Sequence, residues 1–133
     1  MKTILKILIG TCFLFLIAST TTFTQDWKKA NPSINKILAD TTYIRAMEVT
    51  LAPGEKSDVH SHPAHFFYAL TDGKLIVHYT DGKNETFDLK AGDSGFSVPE
   101  RPHMTENGGE TTVKFLLVEL KEHPYKAPKS KKK

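Results

Sequence analysis

The chain has 133 residues, with 18 lysines and arginines against 15 acidic residues, a formal net charge of +3 and a hydrophobic fraction of 39%. This length suits one domain with a hydrophobic core and leaves no room for a second substrate domain or a multi-span membrane protein. The apolar content excludes a fully disordered chain. A single cysteine excludes both a disulfide framework and a cysteine-rich zinc finger.

The first 24 residues have the pattern of a secretory signal peptide. Lys2 and Lys6 form a positive start, residues 7–17 are an almost unbroken apolar run, and small and polar residues follow up to Thr24. Because the run is shorter than the ~20 residues of a spanning helix, a signal cleaved after position 18, 19 or 24 is favoured over an uncleaved membrane anchor. We therefore expect an exported protein, periplasmic or extracellular, with no stable membrane anchor after cleavage.

Residues 25–39 are predicted to form an N-terminal arm. Residues 31–33 (Asn-Pro-Ser) are typical of a turn. After this turn, Ile34, Ile37 and Leu38 offer apolar side chains for docking on a core.

Residues 40–121 are predicted to form an antiparallel β-barrel. Apolar side chains alternate with polar ones, as in Met47, Val49 and Leu51, and turn signals such as Asp81-Gly82 separate the runs. No part of this region has a convincing helical period. The sequence therefore predicts a single all-β domain, an antiparallel sandwich or barrel.

Residues 122–133 are predicted to be a basic, disordered tail. From residue 121 onward the chain carries six lysines against one glutamate, whereas residues 25–120 carry ten basic and fourteen acidic side chains. A tether to nucleic acid or to an anionic membrane is the alternative. Because one short lysine tail does not by itself predict a nucleic-acid site, we expect no nucleic-acid partner.

Two histidines close together in the sequence indicate a metal site. His60 and His62 are two residues apart, so on a strand both side chains point to one face. Two imidazoles on an inward face can bind zinc, copper, iron or nickel with a third ligand from a neighbouring strand. On spacing alone, a pair of surface histidines stays an open alternative.

The surroundings of these histidines resemble the two sequence motifs of the cupin family. The matching residues are Gly54, His60, His62 and Gly73 for the first motif, and Gly92-Asp93, Val98-Pro99, Pro102-His103 and Asn107 for the second. One subgroup, the compact single-domain cupins associated with β-alanine degradation, is similar in residues 60–63, 68, 81–82 and 118–121.

This resemblance implies a jelly-roll (cupin) barrel, in which His60, His62 and His103 bind one divalent transition metal: iron, zinc, manganese, nickel or copper. It also implies a homodimer, since small cupins often pair through barrel edges and an N-terminal arm.

The sequence departs from the family pattern at the glutamate of the first motif. This position, four residues after His62, is Phe66, which cannot ligate a metal. A small bulge could bring in His65 as a fourth ligand; otherwise three histidines leave open coordination positions, or the site holds no metal in use. Three neutral imidazoles leave the dipositive charge uncompensated, so we expect a small anionic ligand.

Four further residues are expected to flank the pocket mouth or form its wall: Phe66, Tyr68, Phe96 and Met104. Ordinary core packing is the alternative for these side chains. Arg45 could bind a substrate carboxylate or be a solvated outward side chain, and Glu106 is expected to face away from the site.

Two functions follow from this reading. The first is a metal-dependent oxygenase or isomerase/lyase acting on a small anionic molecule, with the metal polarising a substrate oxygen or activating water or dioxygen. The second is a non-catalytic protein that binds a small ligand in the barrel cavity, which the missing glutamate favours.

Overall fold

The computed structural model describes residues 25–26, 31 and 33–129, so the predicted signal peptide lies outside the described residues. The described part contains ten strands and no helix. The strands are β1 (Gln25–Asp26), β2 (Asn35–Asp40), β3 (Ile44–Leu51), β4 (His60–His62), β5 (His65–Ala69), β6 (Gly73–Tyr79), β7 (Asn84–Leu89), β8 (Ser94–Ser97), β9 (Glu100–Asn107) and β10 (Val113–Leu120).

The strands form two five-stranded sheets. One has the order β1-β4-β9-β6-β7 and the other β2-β3-β10-β5-β8. Neighbours are antiparallel, apart from the short parallel pair β1–β4. The predicted all-β, antiparallel fold is confirmed.

The core is built by the alternation seen in the sequence. Successive side chains of a strand point to opposite faces, so β3 and β10 each bury every second residue. Their register places the buried side chains in directly opposite pairs: Met47 and Leu117, Val49 and Phe115, Leu51 and Val113. Full burial of each such side chain contributes about 1.5–3 kcal/mol.

The N-terminal arm contributes a strand to each sheet. β2 pairs with β3, Ile34 is buried and Ile37 packs against the core. Leu38, which was also expected to dock, is 49% exposed because it alternates with Ile37 along β2. β1 pairs with β4 next to His60, so the arm reaches the sheet that carries the candidate site.

Two glycines of the motifs allow turns that other residues disfavour. Gly54 has φ +73° and Gly92 has φ +97°, in the left-handed region where a side chain is strained. Gly54 precedes β4 and Gly92 precedes β8, so both turns set where strands near the histidines begin.

After β10 the described chain, up to residue 129, contains no further strand or helix. The backbone still makes a specific contact, because the Ala64 N–H donates a hydrogen bond to the His123 carbonyl. The disorder expected for residues 122–133 stays a prediction. Among the described residues, no helix is long and apolar enough to cross a membrane.

Candidate metal centre

Three buried histidines from two neighbouring strands converge between the sheets. His60 and His62 lie on β4, and His103 on β9 is the direct cross-strand neighbour of His60. One ligand-capable nitrogen of each ring lies within 4.8 Å of those of the other two. The structure thus brings together the three residues that the motif resemblance assigned to the metal.

Backbone carbonyls determine which nitrogen of two rings carries the proton. His60 Nδ1 lies 2.7 Å from the Asp58 carbonyl, and His103 Nδ1 lies 2.8 Å from the Arg101 carbonyl. A carbonyl oxygen can only accept a hydrogen bond, so each Nδ1 carries the hydrogen in the neutral ring. The Nε2 atom is then left with a lone pair, as a metal ligand requires.

For the third ring, a carboxylate determines which nitrogen carries the proton. His62 Nδ1 donates to Glu119 Oε1 over 2.8 Å, and both side chains are buried. Arg45 donates to the other oxygen, Glu119 Oε2, over 3.2 Å. Arg45 is therefore neither a substrate ligand nor a solvated side chain, because it compensates the charge of a buried carboxylate that orients His62.

The spacing of the two Nε2 atoms on β4 fits a metal ion. His60 Nε2 and His62 Nε2 are 3.1 Å apart. Metal–nitrogen bonds of ~2.0–2.1 Å place two adjacent ligands about 3.0 Å apart at a right angle. With both Nδ1 protons directed elsewhere, two lone pairs face each other at this distance, and a cation between them removes the repulsion.

The protonation state of the rings is also suited to metal binding. Burial and the neighbouring His103 lower the pKa of His60 to about 2. Burial and the neighbouring His60 lower the pKa of His62 well below its ordinary value. Both rings are neutral at neutral pH, so a metal need not displace a proton from them.

His65 lies beside this centre and not within it. Its Nδ1 donates to the Pro63 carbonyl over 3.0 Å, and its ring centroid is 5.0 Å from that of His62. It is buried, and burial lowers its pKa. The structure thus places the possible fourth ligand at the edge of the centre, facing the same cavity.

A small cavity of about 110 Å³ adjoins the histidines. Its polar lining residues are His62, His65, Ser97, Glu100, His103 and Thr105. The rest of the wall is apolar: Phe67, Leu75, Val77, Phe87, Leu89, Phe115 and Leu117. The cavity is far below the ~300–1,000 Å³ of drug-sized ligand pockets, so a bound molecule would be small.

The four expected pocket residues do not line this cavity, and that prediction is corrected. Phe66, Tyr68 and Phe96 are 41%, 39% and 62% exposed, and Met104 is half-buried outside the lining set. The cause is strand parity. On β5 the buried residues are His65 and Ala69, with Phe67 at the same parity facing the cavity, so Phe66 and Tyr68 point outward.

Two carboxylates near the histidines were missed by the sequence reasoning. Glu119 had a usable signal, because it continues the inward series Val113, Phe115 and Leu117 on β10. A carboxylate in such a position needs a buried partner. Glu100 had no such signal, since on a regular strand it would face away from His103. Glu106, as expected, faces away, bonded to His78 at 2.7 Å.

A barrel of two antiparallel sheets, with inward imidazoles beside a small cavity, defines a class: a double-stranded β-helix protein with a site that could hold a metal ion. The family model described as "Cupin domain" matches residues 47–119, more than half of the chain. The chain therefore belongs to the cupin family.

Individual relatives agree with this assignment. Oxalate decarboxylase OxdC of Bacillus subtilis (strain 168) is 33% identical over 78 residues, which is 56% of this chain and 20% of that protein. This chain thus spans about a fifth of that relative's length. The likeness is confined to one barrel-sized segment.

Solved structures share the fold. A cupin domain from Bordetella pertussis Tohama I has a TM-score of 0.60 at 23% identity, covering 65% of this chain and 91% of its own. A double-stranded β-helix protein from Klebsiella pneumoniae has a TM-score of 0.54 at 24% identity, covering 65% and 75%. At these identities the likeness concerns the fold.

Proposed function

We propose that this protein is an exported, metal-dependent oxygenase or isomerase/lyase that acts on a small anionic molecule. The observation that carries the proposal is the 3.1 Å approach of His60 Nε2 to His62 Nε2, with both Nδ1 hydrogens donated to fixed acceptors. His103 supplies the third nitrogen. A divalent ion bound there would supply Lewis acidity or redox chemistry.

The chain's own residues would bind and orient the substrate. The buried imidazoles of His60 and His62 hold no charge at neutral pH, so a divalent ion bound there keeps a net positive charge that attracts an anionic group. The apolar wall, with Phe67, Phe87 and Phe115, excludes water from the remainder of the molecule. The cavity volume of about 110 Å³ selects for small substrates.

The lyase version has support from one relative. The name oxalate decarboxylase describes an enzyme acting on a small dicarboxylate. A small carboxylate agrees with both the cavity volume and the expected charge. Because the relative matches over one segment only, a small carboxylate substrate for this chain is our proposal and is not taken over from that enzyme.

The alternative is a non-catalytic cupin that binds a small ligand in the cavity. The observation that favours it is the apolar part of the wall, seven side chains that offer binding area and no acid–base chemistry. The two functions share the metal and differ in turnover, so an assay of turnover on the metal-loaded protein distinguishes them.

Elemental analysis of protein purified without a histidine tag tests the metal site. We expect about one transition metal per chain, and less than about a tenth would contradict the proposal. His62→Ala should abolish retention. Oxygen consumption and product formation with a panel of small carboxylates, on protein loaded with each metal, then separate the enzyme from the binding protein, for which no turnover is expected.

Export and dimerisation remain predictions. N-terminal sequencing of the protein from the producing cell should show a start after position 18, 19 or 24. Sedimentation of the processed protein should show a homodimer.

A further inference from the structure

Strand β9 contains an extra residue next to the candidate metal centre. Its pairing with β4 places His60 opposite His103, but His62 opposite Glu100, with a shift of register between the two pairs. Between these pairs, one residue of β4, Ser61, therefore lies opposite two of β9, Arg101 and Pro102. The extra residue lies at Arg101-Pro102, and Pro102 has no N–H to give to a ladder.

This β-bulge reverses the face towards which the residues of β9 before it point their side chains. In a regular strand, residues three apart face opposite sides, so Glu100 would point away from His103. In the structure, Glu100 Oε2 lies 3.8 Å from His103 Nε2 and 3.8 Å from His65 Nε2, and Glu100 lines the cavity. Bulges beside functional sites often re-aim a side chain in this way.

The carboxylate is held in this orientation from its other oxygen. The Tyr79 hydroxyl donates to Glu100 Oε1 over 3.1 Å. The Tyr79 ring is itself covered by Arg101 of the bulge, with the guanidinium carbon 3.9 Å from the ring centroid. Arg101 is paired in turn with Asp81 of the β6–β7 hairpin. The bulge thus presents Glu100 inward and fixes its second oxygen.

The inward oxygen, Glu100 Oε2, lies 3.8 Å from two imidazole nitrogens. His65 and His103 both donate their Nδ1 hydrogens to backbone carbonyls, so in the neutral form of each ring the Nε2 atom presents a lone pair towards Glu100 Oε2. The carboxylate charge 3.8 Å from His103 Nε2 favours a cation bound to that nitrogen. With metal–ligand bonds of ~2.1 Å, two ligands of one ion lie about 3.0 Å apart at a right angle and about 4.2 Å apart in line. The 3.8 Å separation falls within this range.

We propose that Glu100 is the carboxylate ligand of the metal centre, supplied by the second motif in place of the first-motif glutamate. The proposal rests on the metal site proposed above. Phe66, at the expected glutamate position, points outward, so the barrel has no carboxylate from β5. Glu100 enters the same space from β9 and offsets one of the two positive charges of a divalent ion.

Glu100→Gln tests this assignment, with Glu106→Gln as the matched control. Glu106 is on the same strand but on the opposite face, where it contacts His78 and Lys56. We expect Glu100→Gln to weaken zinc binding at least about tenfold in a chelator competition, and to change the visible spectrum of the Co²⁺ form. Glu106→Gln should leave both unchanged. Zinc affinity within about twofold of the parent, with the same Co²⁺ spectrum, would overturn the assignment.

Glu100→Asp keeps the charge on a shorter side chain and protects the test against a folding defect. We expect its zinc affinity to lie between those of the parent and Glu100→Gln, and an affinity below that of Glu100→Gln would contradict a ligand role. His62→Ala separates the two proposals. If His62→Ala abolishes zinc binding while Glu100→Gln binds as the parent does, only the assignment of Glu100 fails. If His62→Ala binds zinc normally, the proposed metal site fails.

Discussion

The hydrogen of each Nδ1 in the centre has a fixed acceptor, and this determines what the rings can bind. Two acceptors are backbone carbonyls, at Asp58 and Arg101, and cannot be removed by mutation. The third is the side chain of Glu119. A carboxylate orients the imidazole and raises its basicity. A substitution at Glu119 therefore changes the basicity of His62 without replacing any of the three histidines.

Glu119→Gln should weaken zinc binding by about 10–100-fold while His60, His62 and His103 are intact. The amide is similar in shape but carries no charge, so His62 loses its charged partner and Arg45 is left beside a neutral group. Chelator competition measures the loss. Glu110→Gln, at an exposed position, is the control and should bind as the parent does. Unchanged affinity in Glu119→Gln would show that this contact serves folding alone.

The metal-free protein should lose stability in mild acid. Unfolded His60 takes up a proton below its ordinary pKa of 6.5, whereas burial and His103 delay this in the folded chain until its pKa of about 2. Within that window the unfolded chain binds more protons, so stability falls as pH falls. Between pH 6.5 and 5, His60 alone contributes a loss of about 2 kcal/mol, at about 1.4 kcal/mol per pH unit.

Urea unfolding of the metal-free protein at a series of pH values measures this loss. His62, whose pKa is also lowered, adds to it. A free energy of unfolding that stays constant from pH 7 to pH 5 would mean that the rings are accessible to protons in the folded protein.

At the level of strands, alternation was predictable and register was not. The buried series of β3 follows from Met47, Val49 and Leu51 in the sequence. The inward turn of Glu100 does not, because a bulge depends on how β9 pairs with β4. The same limit misplaced Phe66: its position relative to the first motif indicated an inward side chain, but the parity of β5 turns it outward.

Phe66→Glu tests the parity of β5. Because the side chain points away from the cavity and is 41% exposed, the new carboxylate would be solvated and zinc affinity should stay within about twofold of the parent. Phe67→Glu is the informative partner, since it would place a carboxylate in the cavity wall and change the affinity. Tighter zinc binding by Phe66→Glu would show that β5 is rotated relative to the structure.

For the whole molecule, the sequence motifs predicted the three histidines of the site but not the side chains that orient them. His60, His62 and His103 could be predicted because two motifs report one shared fold, and the structure brings them together. Glu119 and Arg45 come from β10 and β3, outside both motifs, and join the site only when the second sheet packs against the first. Long-range packing of this kind is not encoded in local spacing.

Anomalous diffraction from crystals of the zinc-loaded protein locates the metal relative to the three histidines. We predict one strong peak per chain, within about 2.0–2.2 Å of the Nε2 atoms of His60, His62 and His103, beside the small cavity. A zinc peak only at other residues, or no peak in this barrel after loading, would contradict the account.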